Sequence, residues 1–226
     1  MPLLEIHGLQ KSFAAPDGSV LPVLSIAHFE LGEKRQVALE GRSGSGKTTF
    51  LHCIAGISKP DGGRIVIQGQ DVSRLSESGR DAFRAQNIGY VFQTFNLLQG
   101  YTALENVLLG MYFGPGPDPD RATSLLERLG LGDRLGFRPS QLSIGQQQRV
   151  AVARALANHP KLVLADEPTG NLDAGHAAEA LDLMRSICRE QEAALLLVSH
   201  DPAVLAQFDE RLSLSKINAA VGGVST

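Results

Sequence analysis

The sequence predicts an α/β fold whose core contains buried parallel strands and is interrupted by a helical segment. Two runs of consecutive apolar residues, 162–165 (LVLA) and 195–198 (LLLV), are typical of strands buried on both faces. A Gly/Ser-rich loop at 41–46 joins a short apolar run at 37–39 to a helical pattern that ends at Gly56. From about residue 77 the pattern becomes mostly helical, which indicates an insertion between parts of the core.

Short strands separated by turns are expected at the start of the chain. Leu4 and Ile6 alternate with polar neighbours, and the turn residues at 16–18 (PDG) follow. A second turn at 60–63 (PDGG) leads into the predicted strand 64–67 (RIVI). These elements form the first part of the predicted sheet structure.

Capping residues predict the helices of the middle and the last third. Thr102 with Glu105 three residues later forms a capping-box pattern that begins a helix through about Tyr112. Asp118 is the predicted cap of the next helix, with Pro119 in its first turn. A further helix is expected over 174–190, between the two buried strands.

Charge and hydropathy exclude several classes of protein. The formal net charge is −3 and the charged residues are scattered, which argues against a nucleic-acid-binding surface. No apolar run reaches the roughly 20 residues that cross a bilayer, and the N-terminus lacks the pattern of a secretory signal. Cys53 and Cys188 make no metal-ligand spacing, so we expect two reduced, buried thiols in a cytosolic protein.

The segment 41–48 fits the pattern G-x-x-x-x-G-K-[ST] and lies between a predicted strand and a predicted helix. Glycines let successive backbone N–H groups of such a loop point at phosphate oxygens, and the helix adds its positive N-terminal end. Lys47 adds a charge near the β- and γ-phosphates, and the Thr48 hydroxyl is a ligand for Mg²⁺. The sequence therefore predicts a site for ATP and Mg²⁺ formed by Gly41, Arg42, Ser43, Gly44, Ser45, Gly46, Lys47, Thr48 and Thr49.

An acidic pair follows the buried strand at 162–165. Asp166 emerges at the strand end, where it can hold Mg²⁺ or a water bound to it. Glu167 is placed to orient and deprotonate the water that attacks the terminal phosphate. Together with the phosphate loop, this pair predicts nucleotide hydrolysis.

Several segments resemble the ATPase subunits of ABC transporters, in family order across nearly the whole chain. Residues 142–146 (LSIGQ) resemble the signature LSGGQ, with Ile144 in place of the usual glycine. The resemblance implies that Ser143, Gly145 and Gln146 contact the γ-phosphate of ATP held by a second subunit, in a head-to-tail dimer. If position 144 required a positive φ, a β-branched residue would be costly there.

Four further positions match the family. The resemblance implies that Gln93 touches Mg²⁺ and the attacking water, that His200 contacts the γ-phosphate, that residues 171–173 (NLD) pack across the dimer, and that Phe13 stacks on adenine. Simpler explanations stay open: a surface glutamine, a hydrogen-bonded structural histidine, a helix cap at Asp173, and core packing of the phenylalanine.

The resemblance implies one P-loop NTPase domain of the ABC ATPase type over residues 1–226. Its α/β core, with an N-terminal antiparallel β subdomain, would comprise about 1–76 and 146–226, and a helical subdomain about 77–145. The implied catalytic residues are Glu167, His200 and Gln93, and the implied metal ligands are Thr48, Gln93 and Asp166.

Residues 165–173 (ADEPTGNLD) resemble one branch of the family: the lipoprotein-releasing, macrolide-export and cell-division ATPases. This branch implies a homodimer on the inner face of the cell membrane, bound to a permease with few spans and a large extracytoplasmic domain. Two alternatives stay open: an importer ATPase for polar amino acids, and a non-transport switch that regulates cell-envelope enzymes or a sensor.

Overall fold

The computed structural model describes residues 2–220, apart from the side chain of Ala174. Within these residues the chain forms nine strands: β1 (Pro2–Ala14), β2 (Val20–Gly32), β3 (Gln36–Glu40), β4 (Gly62–Ile67), β5 (Gln70–Asp71), β6 (Ile88–Val91), β7 (Leu162–Asp166), β8 (Ala194–Ser199) and β9 (Glu210–Ser213). The helices of the same residues are α1 (Lys47–Ile54), α2 (Glu77–Asn87), α3 (Ala103–Met111), α4 (Pro119–Arg128), α5 (Ile144–Leu156), α6 (Ala174–Glu190), α7 (Pro202–Leu205) and α8 (Leu214–Ile217). Among residues 2–220, none of the helices is both long and apolar enough to cross a bilayer.

Four strands form an antiparallel sheet in the order β2-β1-β4-β5. The alternation seen in the sequence is realised from Leu4 onward, since Leu4 and Ile6 are fully buried while Glu5 and His7 are partly exposed. The buried face packs on α1 through residues such as Phe50 and Leu51. The sheet therefore forms one wall against the helix that follows the phosphate loop.

Five strands form a parallel sheet in the order β6-β7-β8-β3-β9. Every residue of β7 and β8 is buried, as their unbroken apolar sequences predicted. In a parallel sheet the carboxyl ends of the strands meet at one edge, which is where ligands bind. The end of β3 leads into the phosphate loop, and β7 ends at Asp166, so this edge gathers the predicted site residues.

The predicted caps and helices of the middle segment are confirmed. Thr102 and Glu105 form a capping box at the start of α3, and Asp118 caps α4. Helices α3, α4 and α5 share a core that includes Val107, Leu126 and Val150. The predicted free and buried state of Cys53 and Cys188 is also found.

The predicted boundary of the helical segment at residue 77 differs from the structure. Helix α2 leads into β6, and β6 is an edge strand of the parallel sheet, paired with β7 from Ile88 to Val91. Residues 77–91 therefore belong to the core, and the helical segment begins after β6. Long-range pairing with β7 decides which layer this strand joins.

Candidate functional site

A cavity of about 370 Å³ lies at the carboxyl edge of the parallel sheet. It brings together residues that are distant in the sequence and come from both sheets, the phosphate loop and three loops after strands. The residues that line it are Phe13, Val23, Ser43, Gly44, Gly46, Lys47, Thr48, Thr49, Gln93, Asp166, Glu167 and His200. The predicted loop residues Gly41, Arg42 and Ser45 are not part of this lining.

The phosphate loop requires glycine at position 46, where φ is positive, and at position 41, where other side chains lie too close for a Cβ. Gly46 has φ +93°, and a Cβ there would lie 3.0 Å from a methyl of Val23. A Cβ on Gly41 would lie 2.7 Å from the Ser45 hydroxyl and 3.0 Å from the Lys47 side chain. The loop therefore wraps closely around the lysine side chain.

Lys47 is buried and binds to its own loop. Its Nζ donates to the carbonyl oxygens of Gly41 at 2.6 Å and Arg42 at 3.0 Å, and it lies 3.4 Å from Glu167 Oε1. The two loop carbonyls and the Glu167 carboxylate all contact the same ammonium. A phosphate that binds Nζ therefore competes with all three.

Asp166 is only 4% exposed, at the end of β7. Its Oδ1 is buried and has no hydrogen-bond partner among residues 2–220. Burial raises the pKa of this carboxyl, and the nearby Thr48 hydroxyl, His52 and Lys47 offset the rise only in part. An unpartnered buried oxygen beside a threonine hydroxyl fits a hard cation that takes oxygen ligands.

A metal at this place would depend on the nucleotide for several of its ligands. Among residues 2–220, no group of three or more His, Cys, Asp or Glu side chains is arranged to hold an ion by itself. Mg²⁺ is commonly bound through one or two carboxylates, waters and substrate phosphates, so Asp166 with Thr48 and Gln93 is a sufficient protein contribution.

Glu167 adopts a left-handed backbone conformation, with φ +44°, directly after β7. Its buried carboxylate accepts hydrogen bonds from the Ser199 hydroxyl at 3.0 Å and from His200 Nδ1 at 2.7 Å. Since a carboxylate only accepts, the Nδ1 position of His200 carries a proton in this contact. Non-glycine residues held at positive φ are concentrated at functional sites, where surrounding contacts maintain the strain.

Gln93 and Phe13 also line the cavity. The carbonyl of Gln93 accepts a hydrogen bond from Asn171 Nδ2 at 2.9 Å, which joins the loop after β6 to the loop after β7. Phe13 lies on β1 opposite Leu21, is 47% exposed, and has Lys11 Nζ 5.3 Å from its ring centroid. Its exposed ring is available for stacking, so core packing does not explain this residue.

The segment 142–146 lies outside this cavity. Ser143 caps α5 and forms a capping box with Gln146, and a Cβ on Gly145 would lie 3.8 Å from Leu172. Ile144 is the first residue of α5 and is 53% exposed. It adopts helical backbone angles, so the β-branched residue is not strained there.

Three residues at the site were not singled out from the sequence. Ser199 follows Val198 on β8, which is paired with Asp166 of β7, so its hydroxyl meets Glu167. Val23 lines the cavity, and the Asn218 side chain donates to its carbonyl. Ser199 could have been found from the sequence, because it is a polar residue at the end of a buried strand and precedes the catalytic candidate His200. Asn218 could not, because its contact with Val23 is long-range.

Comparison with known proteins identifies the family. The family model described as ABC transporter matches residues 24–170. The chain belongs to the ABC transporter family. It is 44% identical to the lipoprotein-releasing system ATP-binding protein LolD of Hydrogenovibrio crunogenus, over 95% of this chain and 94% of that protein. It is also 44% identical to LolD of Pseudomonas syringae pv. tomato, over 94% of each chain.

Solved structures of ATP-binding cassettes have the same fold. A cassette solved as a dimer in a post-hydrolysis state, bound to ADP and Pi, superposes with a TM-score of 0.85 at 32% identity, covering 93% of each chain. A dimeric bacterial ABC transporter cassette gives the same TM-score at 33% identity, again over 93% of each chain.

These findings confirm the predicted fold class and the resemblance to the lipoprotein-releasing branch. The chain is an ATP-binding, ATP-hydrolysing subunit of an ABC transporter.

Proposed function

We propose that this ATPase subunit drives extraction or export of a lipid-anchored substrate through a membrane partner, by ATP-dependent closure of a head-to-tail homodimer. The cavity that gathers the phosphate loop with Gln93, Asp166, Glu167 and His200 is the observation that carries the proposal. The names of the LolD relatives support lipoprotein as the substrate class. The partner we expect is an inner-membrane permease with few spans and a large extracytoplasmic domain, which leaves the subunit itself at the cytoplasmic face.

The proposed nucleotide contacts follow the lining of the cavity. Phe13 stacks on adenine at one end, while backbone N–H groups of the loop 41–49 and the Lys47 ammonium bind the phosphates. Thr48, Asp166 and Gln93 are the proposed ligands of Mg²⁺. A bound Mg²⁺ would neutralise charge on the β- and γ-phosphates as the bond to the γ-phosphate breaks.

Glu167 is the proposed general base. Lys47 Nζ lies 3.4 Å from Glu167 Oε1, so a phosphate that binds this ammonium competes with the carboxylate. His200 Nδ1 and the Ser199 hydroxyl then hold the carboxylate in place while it orients water and accepts a proton. The His200 side chain lines the same cavity and is 65% exposed, so we expect it also to contact the γ-phosphate.

A second subunit is proposed to complete the site. Ser143, Gly145 and Gln146 lie at the N-terminus of α5, a helix end that favours anions, yet in the described chain they do not line the cavity. Contact between this helix end and the γ-phosphate therefore requires another copy of the chain. The dimeric state of the related cassettes supports this arrangement.

An exposed apolar patch supports a protein partner. We define the patch by Ile57, Tyr101, Tyr112 and Phe113, which are exposed and line two cavities that share Phe113. Phe113 is 79% exposed and Tyr112 62%, and Phe113 lines two adjoining cavities of about 640 and 520 Å³. Large exposed aromatic residues of this kind are typical of interaction sites, and we propose that the permease contacts the patch.

The test is capture of the partner by a variant that binds ATP without hydrolysing it. The full-length Glu167→Gln chain is incubated with Mg·ATP and solubilised membranes, and co-purifying proteins are identified. A few-span protein with a large extracytoplasmic domain is the expected result. A many-span permease with a solute-binding protein would replace the proposal with import, and the absence of any membrane protein would favour the non-transport switch.

Two controls make the capture specific. The same variant with Phe113→Ser should lose the partner but keep nucleotide binding, because the side chain is mostly exposed and does not line the nucleotide cavity. Lys47→Ala should lose ATP-dependent capture altogether. Near-normal ATP hydrolysis by Glu167→Gln would contradict the role of the proposed base.

A third variant tests the trans contact. Ser143→Arg places a large cation at the N-terminus of α5 and should block hydrolysis. Binding of ATP by the isolated monomer should remain, since this segment is outside the monomer's own cavity. Loss of monomer binding would contradict the trans arrangement.

A further inference from the structure

The loop that carries Gln93 contains a turn that its own sequence does not favour. Phe95 has φ +58° and Asn96 has φ +50°, so two consecutive non-glycine residues are in the left-handed region. L-residues enter this region at an energetic cost, and such a conformation persists where surrounding contacts hold it. Phe95 is buried, but burial of a side chain does not fix a backbone angle.

Arg154 of α5 holds this turn from outside the loop, in addition to the loop's own hydrogen bonds from the Phe95 N–H to the Phe92 carbonyl and from the Asn96 N–H to the Thr94 carbonyl. Its Nη2 donates to the carbonyl of Phe95 at 2.6 Å, and its Nη1 donates to the carbonyl of Asn96 at 2.6 Å. Burial lowers the pKa of Arg154. Among residues 2–220, no carboxylate lies within 4.0 Å of its guanidinium. Its charge is therefore directed to the two carbonyls of the left-handed turn.

Two other side chains bind the same loop on either side of the turn. Asn171 donates to the carbonyl of Gln93, and Asn106 of α3 makes a pair of hydrogen bonds with the backbone of Leu98, at 2.9 and 3.2 Å. Of the three anchors, only Arg154 belongs to the helix whose first turn is capped by Ser143.

Helix α5 connects two parts of the proposed mechanism. Ser143 and Arg154 are eleven residues apart, which corresponds to roughly 16 Å along a helix at 1.5 Å per residue. One end faces the γ-phosphate of the second subunit in the proposed dimer, and the other end holds the turn next to Gln93. A rigid helix moves as a unit, so a shift at one end reaches the other.

We propose that Arg154 is a positioning residue for ATP hydrolysis: it holds the turn at Phe95 and Asn96 so that Gln93 reaches the cavity. It also ties that turn to the movement of the signature segment on α5. This inference rests on the proposed role of Gln93 at the nucleotide.

The test compares two arginines with the same kind of contact. Arg121 of α4 also donates to two backbone carbonyls, those of Leu156 and Ala157 at the C-terminal end of α5, and does not contact the loop, so it controls for a general loosening of this helix. Steady-state ATP hydrolysis is measured for two purified full-length variants, Arg154→Lys and Arg121→Lys. Binding of a fluorescent ATP analogue and the melting temperature are measured in parallel. Lysine keeps the charge but cannot hold two carbonyls with a planar fork.

For Arg154→Lys we expect kcat to fall about tenfold, because one charge-assisted hydrogen bond is lost. The Kd for ATP should stay within about twofold of the native value. Arg121→Lys should lower the melting temperature by a similar amount and leave kcat within about twofold. An unchanged kcat in Arg154→Lys, or equal losses of kcat in the two variants, would overturn the proposal.

A second substitution tests the left-handed turn itself. Glycine adopts positive φ freely, so Asn96→Gly added to Arg154→Lys should recover about threefold in kcat. No recovery would also overturn the positioning role. The Gln93→Ala variant distinguishes the role of Gln93 from that of Arg154. Unchanged ATP hydrolysis by Gln93→Ala would refute the proposed role of Gln93. A large loss of hydrolysis in Gln93→Ala, together with normal hydrolysis in Arg154→Lys, would refute only the role of Arg154.

Discussion

The two neighbouring acids at the end of β7 should respond oppositely when their charges are removed. Asp166 has a buried oxygen without a partner among residues 2–220, and burial raises the pKa of its carboxyl. Glu167 is equally buried, but its carboxylate accepts from Ser199 and His200 and lies beside Lys47. Asp166→Asn should therefore stabilise the nucleotide-free protein, and Glu167→Gln should destabilise it.

The magnitudes follow from the contacts. An unsatisfied buried polar group costs about 1–3 kcal/mol, and since asparagine keeps part of that cost, we expect a gain of about 1 kcal/mol for Asp166→Asn. A domain of this size shifts by roughly 2–4 °C in Tm per kcal/mol. Removing the charge of Glu167 weakens several charge-assisted hydrogen bonds, for an expected loss of about 1–3 kcal/mol.

The pH dependence gives a second observable. A carboxyl whose pKa is raised on folding binds its proton more tightly in the native state. Its contribution to the free energy of unfolding is therefore most favourable below the unfolded pKa of about 4. That contribution is lost as the pH rises through the raised native pKa. The Tm advantage of Asp166→Asn over the native chain should accordingly grow as the pH rises above about 4.

The assay is thermal unfolding of the full-length chain without nucleotide, followed by the same measurement with Mg·ATP. Asp166→Asn should melt higher than the native protein alone and gain less from Mg·ATP, because a proposed metal ligand is lost. A lower Tm for nucleotide-free Asp166→Asn, or a higher one for Glu167→Gln, would refute the reasoning.

Three further predictions concern single side chains. Gly46→Ala should lower the free energy of unfolding by about 2–4 kcal/mol, from positive-φ strain and the Val23 contact, as measured by urea denaturation. Ser199→Ala should lower kcat several-fold by freeing the Glu167 carboxylate while leaving the KM for ATP unchanged, and Ser199→Thr should restore it. Burial raises the pKa of Cys53 to about 11 and of Cys188 to about 12, so both thiols should react with a disulfide reagent at pH 8 only on unfolding.

Local patterns predicted much of the fold and of the site. The caps at Thr102 and Asp118 depend on residues three positions apart, and the buried strands β7 and β8 are recognisable from consecutive apolar residues. The phosphate loop is likewise continuous in sequence. These features could be predicted because their physical causes lie within a few residues of each other.

Features that depend on long-range contacts could not be predicted in the same way. The place of β6 in the parallel sheet is decided by its pairing with β7, more than 70 residues away along the sequence. The hydrogen bonds of Arg154 to Asn96 and Phe95 join residues 58 and 59 positions apart, and arginine in an amphipathic helix ordinarily faces solvent. No local pattern marks these two carbonyls as its partners.

The substitution at position 144 provides a last test of how the signature segment works. Ile144 has helical angles at the first position of α5, so glycine there brings no relief of strain and adds backbone entropy to the unfolded chain. Ile144→Gly should therefore lower stability by up to about 1 kcal/mol and leave monomer ATP binding unchanged, as measured by thermal unfolding and fluorescent nucleotide titration. Hydrolysis at dimer-forming concentrations should remain, because Ser143 keeps its capping box with Gln146. A rise in Tm would mean that the isoleucine is strained after all and that this segment adopts a different backbone from the one described.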